Sequence, residues 1–66
     1  MSFRAYAIVK ARAMVLLKAG KMSIPKAVDQ AAAWWRASGN PIGNAELGRI
    51  KRELKARAAA GREIFS

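Results

Sequence analysis

The apolar residues of this chain recur at helical spacing in three segments separated by turn residues. In the first segment, one stripe at about 100° per residue holds these side chains: Ala5, Tyr6, Val9, Ala13, Leu16 and Leu17. Ser2 precedes the stripe as a candidate N-cap, and Gly20 follows it as a candidate left-handed residue after the helix. We therefore predict a helix over Ser2–Ala19.

The first segment also has a second apolar side. Ile8, Met14 and Val15 lie off the main stripe, among the charged residues. A helix that is apolar on more than one side is either central in its bundle or presents a second surface to a partner. Scattered exposure of single side chains is the other interpretation. A homodimer through the first helix is one hypothesis that this pattern supports.

The second segment begins after Ser23, a candidate N-cap, and has Pro25 in its first turn. Its apolar stripe is clean: Ile24, Ala27, Val28, Ala31, Trp35 and Ser38. We predict a helix over Ile24–Ala37 with Trp35 as a core anchor. Trp34 lies on the flank of the stripe, where it either covers the edge of a small core or serves as a stacking or interface residue.

The segment Ser38–Gly43 combines a glycine stop, an Asn-Pro dipeptide and a second glycine, which together predict a loop. Ile42 is expected to close the core from this loop. Asn44 is a candidate cap for a third helix over Ala45–Ala60, and Glu46 suits the positive end of its dipole. The predicted buried stripe of this helix is as follows: Leu47, Ile50, Leu54, Ala58, Gly61 and Phe65.

These segments predict an all-α fold, a small three-helix bundle in a single domain over residues 1–66. The order of helix, turn and basic helix is loosely helix-turn-helix-like. The loop is longer than the tight turn of that motif, and Arg49 is the earliest basic residue of the third helix. Contacts to backbone phosphates are therefore easier to reconcile with this helix than base readout.

The net charge says more about the partner of this chain than any sequence motif does. The chain has 13 Lys and Arg against 4 Asp and Glu, a formal net charge of +9 and a sequence pI of about 11.4. Such an excess attracts polyanions: nucleic acid, an anionic membrane or the acidic surface of a protein. The expected partner is accordingly DNA, RNA or an acidic protein surface.

The third helix carries the densest basic cluster. Arg49 and Arg57 flank Glu53 at a spacing of four residues, which makes one flank mixed in charge. The other flank has no acid and is the candidate nucleic-acid-binding row: Lys51, Arg52, Lys55 and Arg62. A merely solvated basic face that complements the helix dipole is the alternative interpretation.

The residue types that the chain lacks, and the shortness of its apolar runs, exclude or disfavour several function classes. The chain has no Cys and no His, so we expect no metal site, no cofactor and no enzymatic activity. The longest strictly apolar run, Ala13–Leu17, is far shorter than the roughly 20 residues of a membrane span. Lack of cysteine is compatible with a cytoplasmic location.

Three functions remain as expectations. The first is a nucleic-acid-binding module that uses the basic row, helped by further cations: Arg12, Lys18 or Arg36. The alternative is a small helical protein that binds and modulates another protein, as inhibitors encoded by viruses and plasmids do. Its interface would consist of exposed apolar side chains: Ile8, Val15 and Trp34. The third is a membrane-active basic amphipathic peptide. Such a peptide would gain its helices only on anionic lipid, whereas we predict a bundle that is helical without lipid, so a membrane is an unlikely partner.

Overall fold

A computed structural model describes residues 3–20 and 22–61 of the chain. Within those residues it contains three α-helices and no strand: α1 (Phe3–Lys18), α2 (Ile24–Ala37) and α3 (Asn44–Ala59). The helices pack together as a bundle, which confirms the predicted all-α three-helix class. The bounds of α2 are those predicted, and α3 differs from its predicted bounds by one residue at each end. The helix α1 ends one residue before its predicted end, and the predicted cap Ser2 lies outside the described residues.

The end of α2 shows how glycine sets a helix boundary. Gly39 has a φ of +84°, a conformation in which residues with a Cβ are strained. Its N–H donates to the carbonyl of Arg36 at 2.9 Å, and the N–H of Asn40 donates to that of Trp35 at 3.4 Å. These two bonds form a Schellman motif that satisfies the last carbonyls of the helix. Gly20, with a φ of +76°, confirms the predicted left-handed residue after α1.

The N-termini of α2 and α3 refine the predicted caps. Ser23 occupies the N-cap of α2 as predicted, but its side chain makes no capping hydrogen bond. The N-cap of α3 is Gly43 rather than Asn44. The Gly43 backbone is extended, and its carbonyl accepts the N–H of Leu47 at 3.2 Å, so Asn44 is already the first helical residue. This places Glu46 at the third helical position.

The core consists mainly of small side chains between α1 and α2, which share the most extensive contact in the bundle. Small side chains let two helix axes approach closely. The buried residues are the following: Ala5, Val9, Ala13, Leu17, Ala27, Val28, Ala31, Ala32, Ile42, Leu47, Ile50 and Leu54. The core therefore has few large side chains, and Ile50, Leu54, Val9 and Val28 are the largest that are fully buried.

Three positions of the predicted stripes are exposed instead of buried: Ser38, Ala58 and Gly61. Ser38 is the C-cap of α2 and has already left the regular helix. Ala58 and Gly61 lie at the end of α3, where residues 58–61 are all exposed, so this end extends past the core. The predicted buried position Phe65 lies outside the described residues.

The loop after α2 is held by the last turn of that helix. The indole Nε1 of Trp35 donates to the carbonyl of Pro41 at 3.0 Å, and the Arg36 guanidinium donates to that of Ile42 at 2.8 Å. Ile42 is only 7% exposed, which confirms that the loop closes the core. Trp35 is half-buried against the core, so it both packs and positions the loop.

The close contact of α1 and α2 predicts that larger side chains at its centre are not tolerated. Ala31→Leu, at a position with no exposed surface, should lower the free energy of unfolding by about 1–3 kcal/mol because the helices must separate. Ala33→Leu on the exposed side of α2 is the matched control and should change it by less than about 0.5 kcal/mol. Urea unfolding followed by circular dichroism measures both, and equal effects would contradict close packing.

Candidate nucleic-acid interface

The flank of α3 that faces α1 is organised by one carboxylate. Glu53 accepts the Lys10 amine at 3.0 Å and the Arg49 Nε at 3.2 Å. Both cations also approach the ring of Tyr6, Lys10 at 5.5 Å and Arg49 at 4.9 Å from the centroid. The Arg49–Glu53 pair agrees with the predicted mixed-charge flank. The contribution of Lys10 from α1 was not predicted, because it depends on how the two helices are rotated.

Lys10 is the titratable group that this environment changes. Burial, followed by the positive charges of Arg57 and Arg49, lowers the pKa of its amine below the ordinary lysine value. The carboxylate of Glu53 acts in the opposite direction, yet burial and the two guanidinium groups outweigh it. The cluster thus brings three cations to one acid, and its charge balance remains positive.

The flank of α3 that faces α2 contains a second interhelical ion pair. The amine of Lys51 lies 3.0 Å from a carboxylate oxygen of Asp29 in α2. The predicted basic row had no acid among its own residues, so this contact corrects the interpretation of Lys51 as an unneutralised cation. Asp29 belongs to α2, so the spacing of charged residues along α3 alone could not reveal this ion pair.

The remaining side of α3 is exposed and basic. Arg52 and Lys55 are exposed there, on the side of the helix opposite its buried stripe. We define the outer face of α3 by these two cations and the small residues that share their side of the helix: Ala45, Gly48, Arg52, Lys55, Ala56 and Ala59. Arg62, the fourth residue of the predicted row, lies outside the described residues.

The guanidinium of Arg52 lies over Gly48, one turn earlier in the helix. Its Nη1 is 3.5 Å from the position that a Cβ on Gly48 would occupy. No acidic side chain belongs to the outer face within the described part of α3. Glu53 is turned to Lys10 and Arg49, as shown above. Glu46 folds toward the helix N-terminus: its Oε1 comes near Gly43, and its Oε2 is shielded from solvent. The outer face is therefore cationic without local neutralisation.

The other predicted site residues lie elsewhere. The Arg12 guanidinium stacks over the indole of Trp34, 4.8 Å from its centroid. Trp34 is 41% exposed and Val15 is 60% exposed, whereas Ile8 is half-buried. Of the cations predicted to assist nucleic-acid binding, Lys18 is exposed and Arg36 holds the loop as described above.

The predicted site residues that the structure describes thus lie on two separate surfaces, one on α3 and one on α1 and α2. The contact between Arg12 and Trp34 was not predicted from the sequence. This contact depends on how α1 and α2 are aligned and rotated against each other, which the spacing within either helix does not fix.

No protein-family model, curated protein or solved structure matches this chain. No helix in the described part of the chain is long and apolar enough to cross a lipid bilayer. The described residues also bring together no group of three or more acidic side chains that could hold a metal ion.

The arrangement around Glu53 predicts that its charge matters for stability. Glu53→Gln should lower the free energy of unfolding by about 1–2 kcal/mol, since Lys10 and Arg49 lose their common partner in a partly shielded site. Asp29→Asn is the matched control, because Asp29 is more exposed and has one cation, and should cost at most about 0.5 kcal/mol. Thermal or urea unfolding of the two variants measures both losses in the free energy of unfolding. A larger effect of the Asp29 change would contradict the organising role of Glu53.

The lowered pKa of Lys10 predicts a gain in stability at alkaline pH. At neutral pH the folded chain carries the cost of a charged amine that is partly buried beside two guanidinium groups. This cost is relieved as the pH rises from the folded-state pKa toward the ordinary lysine value of about 10.4. Urea unfolding across that range should show the wild type gaining stability relative to Lys10→Met. If the wild type instead lost stability relative to the variant as the pH rises, the lowered pKa of Lys10 would be contradicted.

Proposed function

We propose that this chain is a small basic nucleic-acid-binding module that contacts phosphates mainly through the outer face of α3. The observation that carries the proposal is the placement of Arg52 and Lys55, which are exposed on a helix side with no acid. Cationic side chains on such a face can replace the counterions that surround a nucleic acid, and the released counterions drive binding.

The small residues of the outer face favour close approach to an extended partner. The Arg52 guanidinium lies over Gly48, and the other small residues of this face are alanines, so little bulk besides the cations stands between the helix backbone and a phosphate chain. A helix with such a side can lie against a groove or a phosphate backbone along its length. The two cations, which are three residues apart on this one side of the helix, would then both reach phosphates.

The distribution of the acids supports the same conclusion. Asp29 and Glu53 pair with cations of neighbouring helices, and Glu46 folds over the start of α3. These acids therefore stabilise the bundle and do not repel a polyanion at the outer face. The formal net charge of +9 adds a general attraction that steers a polyanion toward the molecule.

The proposal is for contact with phosphates rather than for sequence readout. The first turn of α3 carries Asn44 and Glu46, and no cation precedes Arg49 in this helix. Helix-turn-helix proteins contact base edges with the N-terminal residues of the corresponding helix. We therefore expect modest sequence preference, strong dependence on salt, and a function exercised in the cytoplasm, where nucleic acid is accessible.

Fluorescence anisotropy with labelled duplex DNA, single-stranded DNA and RNA across a salt series tests this proposal. The double variant Arg52→Gln/Lys55→Gln should bind the preferred nucleic acid several-fold more weakly. For duplex DNA, it should also lower the slope of log K against log salt by about 1.8, since each phosphate contact contributes about 0.9. The ranking of the three nucleic acids identifies the preferred partner.

The matched control is Lys18→Gln/Lys26→Gln, which removes two exposed cations outside α3 and changes the net charge equally. It should leave the salt slope nearly unchanged. Equal losses in the two double variants would show that binding follows total charge alone, and the proposal would fail.

A further inference from the structure

A second surface lies on the opposite side of the bundle from α3. On α1, Tyr6 and Lys10 face α3, whereas Arg12 is turned to the other side and stacks on Trp34 of α2. On α2, Asp29 faces α3, and Trp34 lies on the opposite flank of the buried stripe. We define the α1–α2 face by Ile8, Arg12, Val15 and Trp34.

This surface holds the large hydrophobic side chains that are most exposed in the described residues. Val15 is 60% exposed and Trp34 is 41% exposed. Ile8, half-buried, is seven residues before Val15 and therefore shares its side of α1. An exposed aliphatic and an exposed tryptophan on adjacent helices form a shallow apolar surface of the kind that protein partners cover.

The charge around this surface has one sign. Arg12 lies within it, and Lys26 is exposed two turns before Trp34 on α2. The acids that the structure describes, Asp29, Glu46 and Glu53, are engaged on the α3 side of the bundle or at the start of α3. A partner that covers the α1–α2 face must therefore bring apolar side chains and carboxylates together.

We infer that the α1–α2 face docks an acidic amphipathic helix of a partner protein. Apolar side chains on one side of that helix, spaced three or four residues apart, would pack on Val15 and Trp34 between α1 and α2. Carboxylates beside them would reach Arg12 and Lys26. Such a helix would lie across the α1–α2 pair on the side away from α3, in the helix-in-groove mode of recognition.

Two other occupants fit the surface less well. A second copy of the chain would bring the same two cations, Arg12 and Lys26, and no acid to the contact, and like charges across an interface oppose association. For a nucleic acid, the ring of Trp34 already has the Arg12 guanidinium on it, and Ile8 and Val15 offer aliphatic surface rather than a stacking platform. Apolar packing combined with carboxylates favours the acidic helix.

The test uses a labelled synthetic peptide of about 16 residues, since shorter helices are marginal in water. Its leucines lie on one helical side and its other positions are mainly glutamate. A control peptide has the same composition with the leucines distributed all round. Fluorescence anisotropy should show the amphipathic peptide binding at least about tenfold more tightly than the control peptide, because only the first can bury its leucines while it pairs its carboxylates.

Val15→Glu should weaken binding of the amphipathic peptide at least about tenfold, because it places an acid at the centre of the apolar surface. Val15 is exposed, so circular dichroism should show an unchanged fold. The matched control is Ala56→Glu on the outer face of α3, which changes the net charge equally and should leave peptide binding unchanged. Their effects on nucleic-acid binding should be reversed, which keeps this inference independent of the proposed function.

Four results would overturn the inference. Equal binding of the two peptides, or no effect of Val15→Glu, would reduce the contact to general charge attraction. A wild type that sediments as a dimer and a Val15→Glu variant that sediments as a monomer would assign the face to a second copy. Quenching of indole fluorescence by single-stranded DNA that is lost in Trp34→Phe would assign it to nucleic acid.

Discussion

Alanines pack α1 closely against α2, and this contact is the most extensive one in the bundle. Ala13, Ala31 and their buried neighbours bring the two helices together but supply little apolar area. Because this core is small, α3 is held in the bundle by a short apolar stripe and by polar contacts on both of its flanks. Glu53 on one flank and the Lys51–Asp29 pair on the other accordingly link α3 to both neighbours.

The use of the acids inside the bundle connects this packing to function. A chain with 13 basic and 4 acidic residues cannot neutralise itself, so the position of each acid decides which surfaces stay cationic. The described acids lie at contacts between helices or at the start of α3, and the outer face of α3 and the α1–α2 face have none. The two exposed surfaces differ in their other residues. Small side chains surround the cations of α3, whereas Val15 and Trp34 accompany Arg12.

Much of the fold could be predicted because its signals are local. Gly39 ends α2 through bonds to the preceding turn, and the apolar spacing of α2 defines its bounds without reference to other helices. The site was predicted less completely. Whether Lys51 meets Asp29, or Arg12 meets Trp34, depends on how each helix is rotated about its axis, which spacing within one helix does not fix. Sequence reasoning could group Arg52 and Lys55 on one flank, but it could not separate them from Lys51.

We propose that a nucleic acid contacts this molecule at the outer face of α3. The most direct measurement is a two-dimensional NMR titration of the isotopically labelled chain with a short DNA duplex at moderate salt, in which each backbone amide reports its own environment. We expect the largest shifts at Gly48, Arg52 and Ala56, while Val15 and Trp34 change little. Largest shifts at Val15 and Trp34, or small uniform shifts over all three helices, would contradict it.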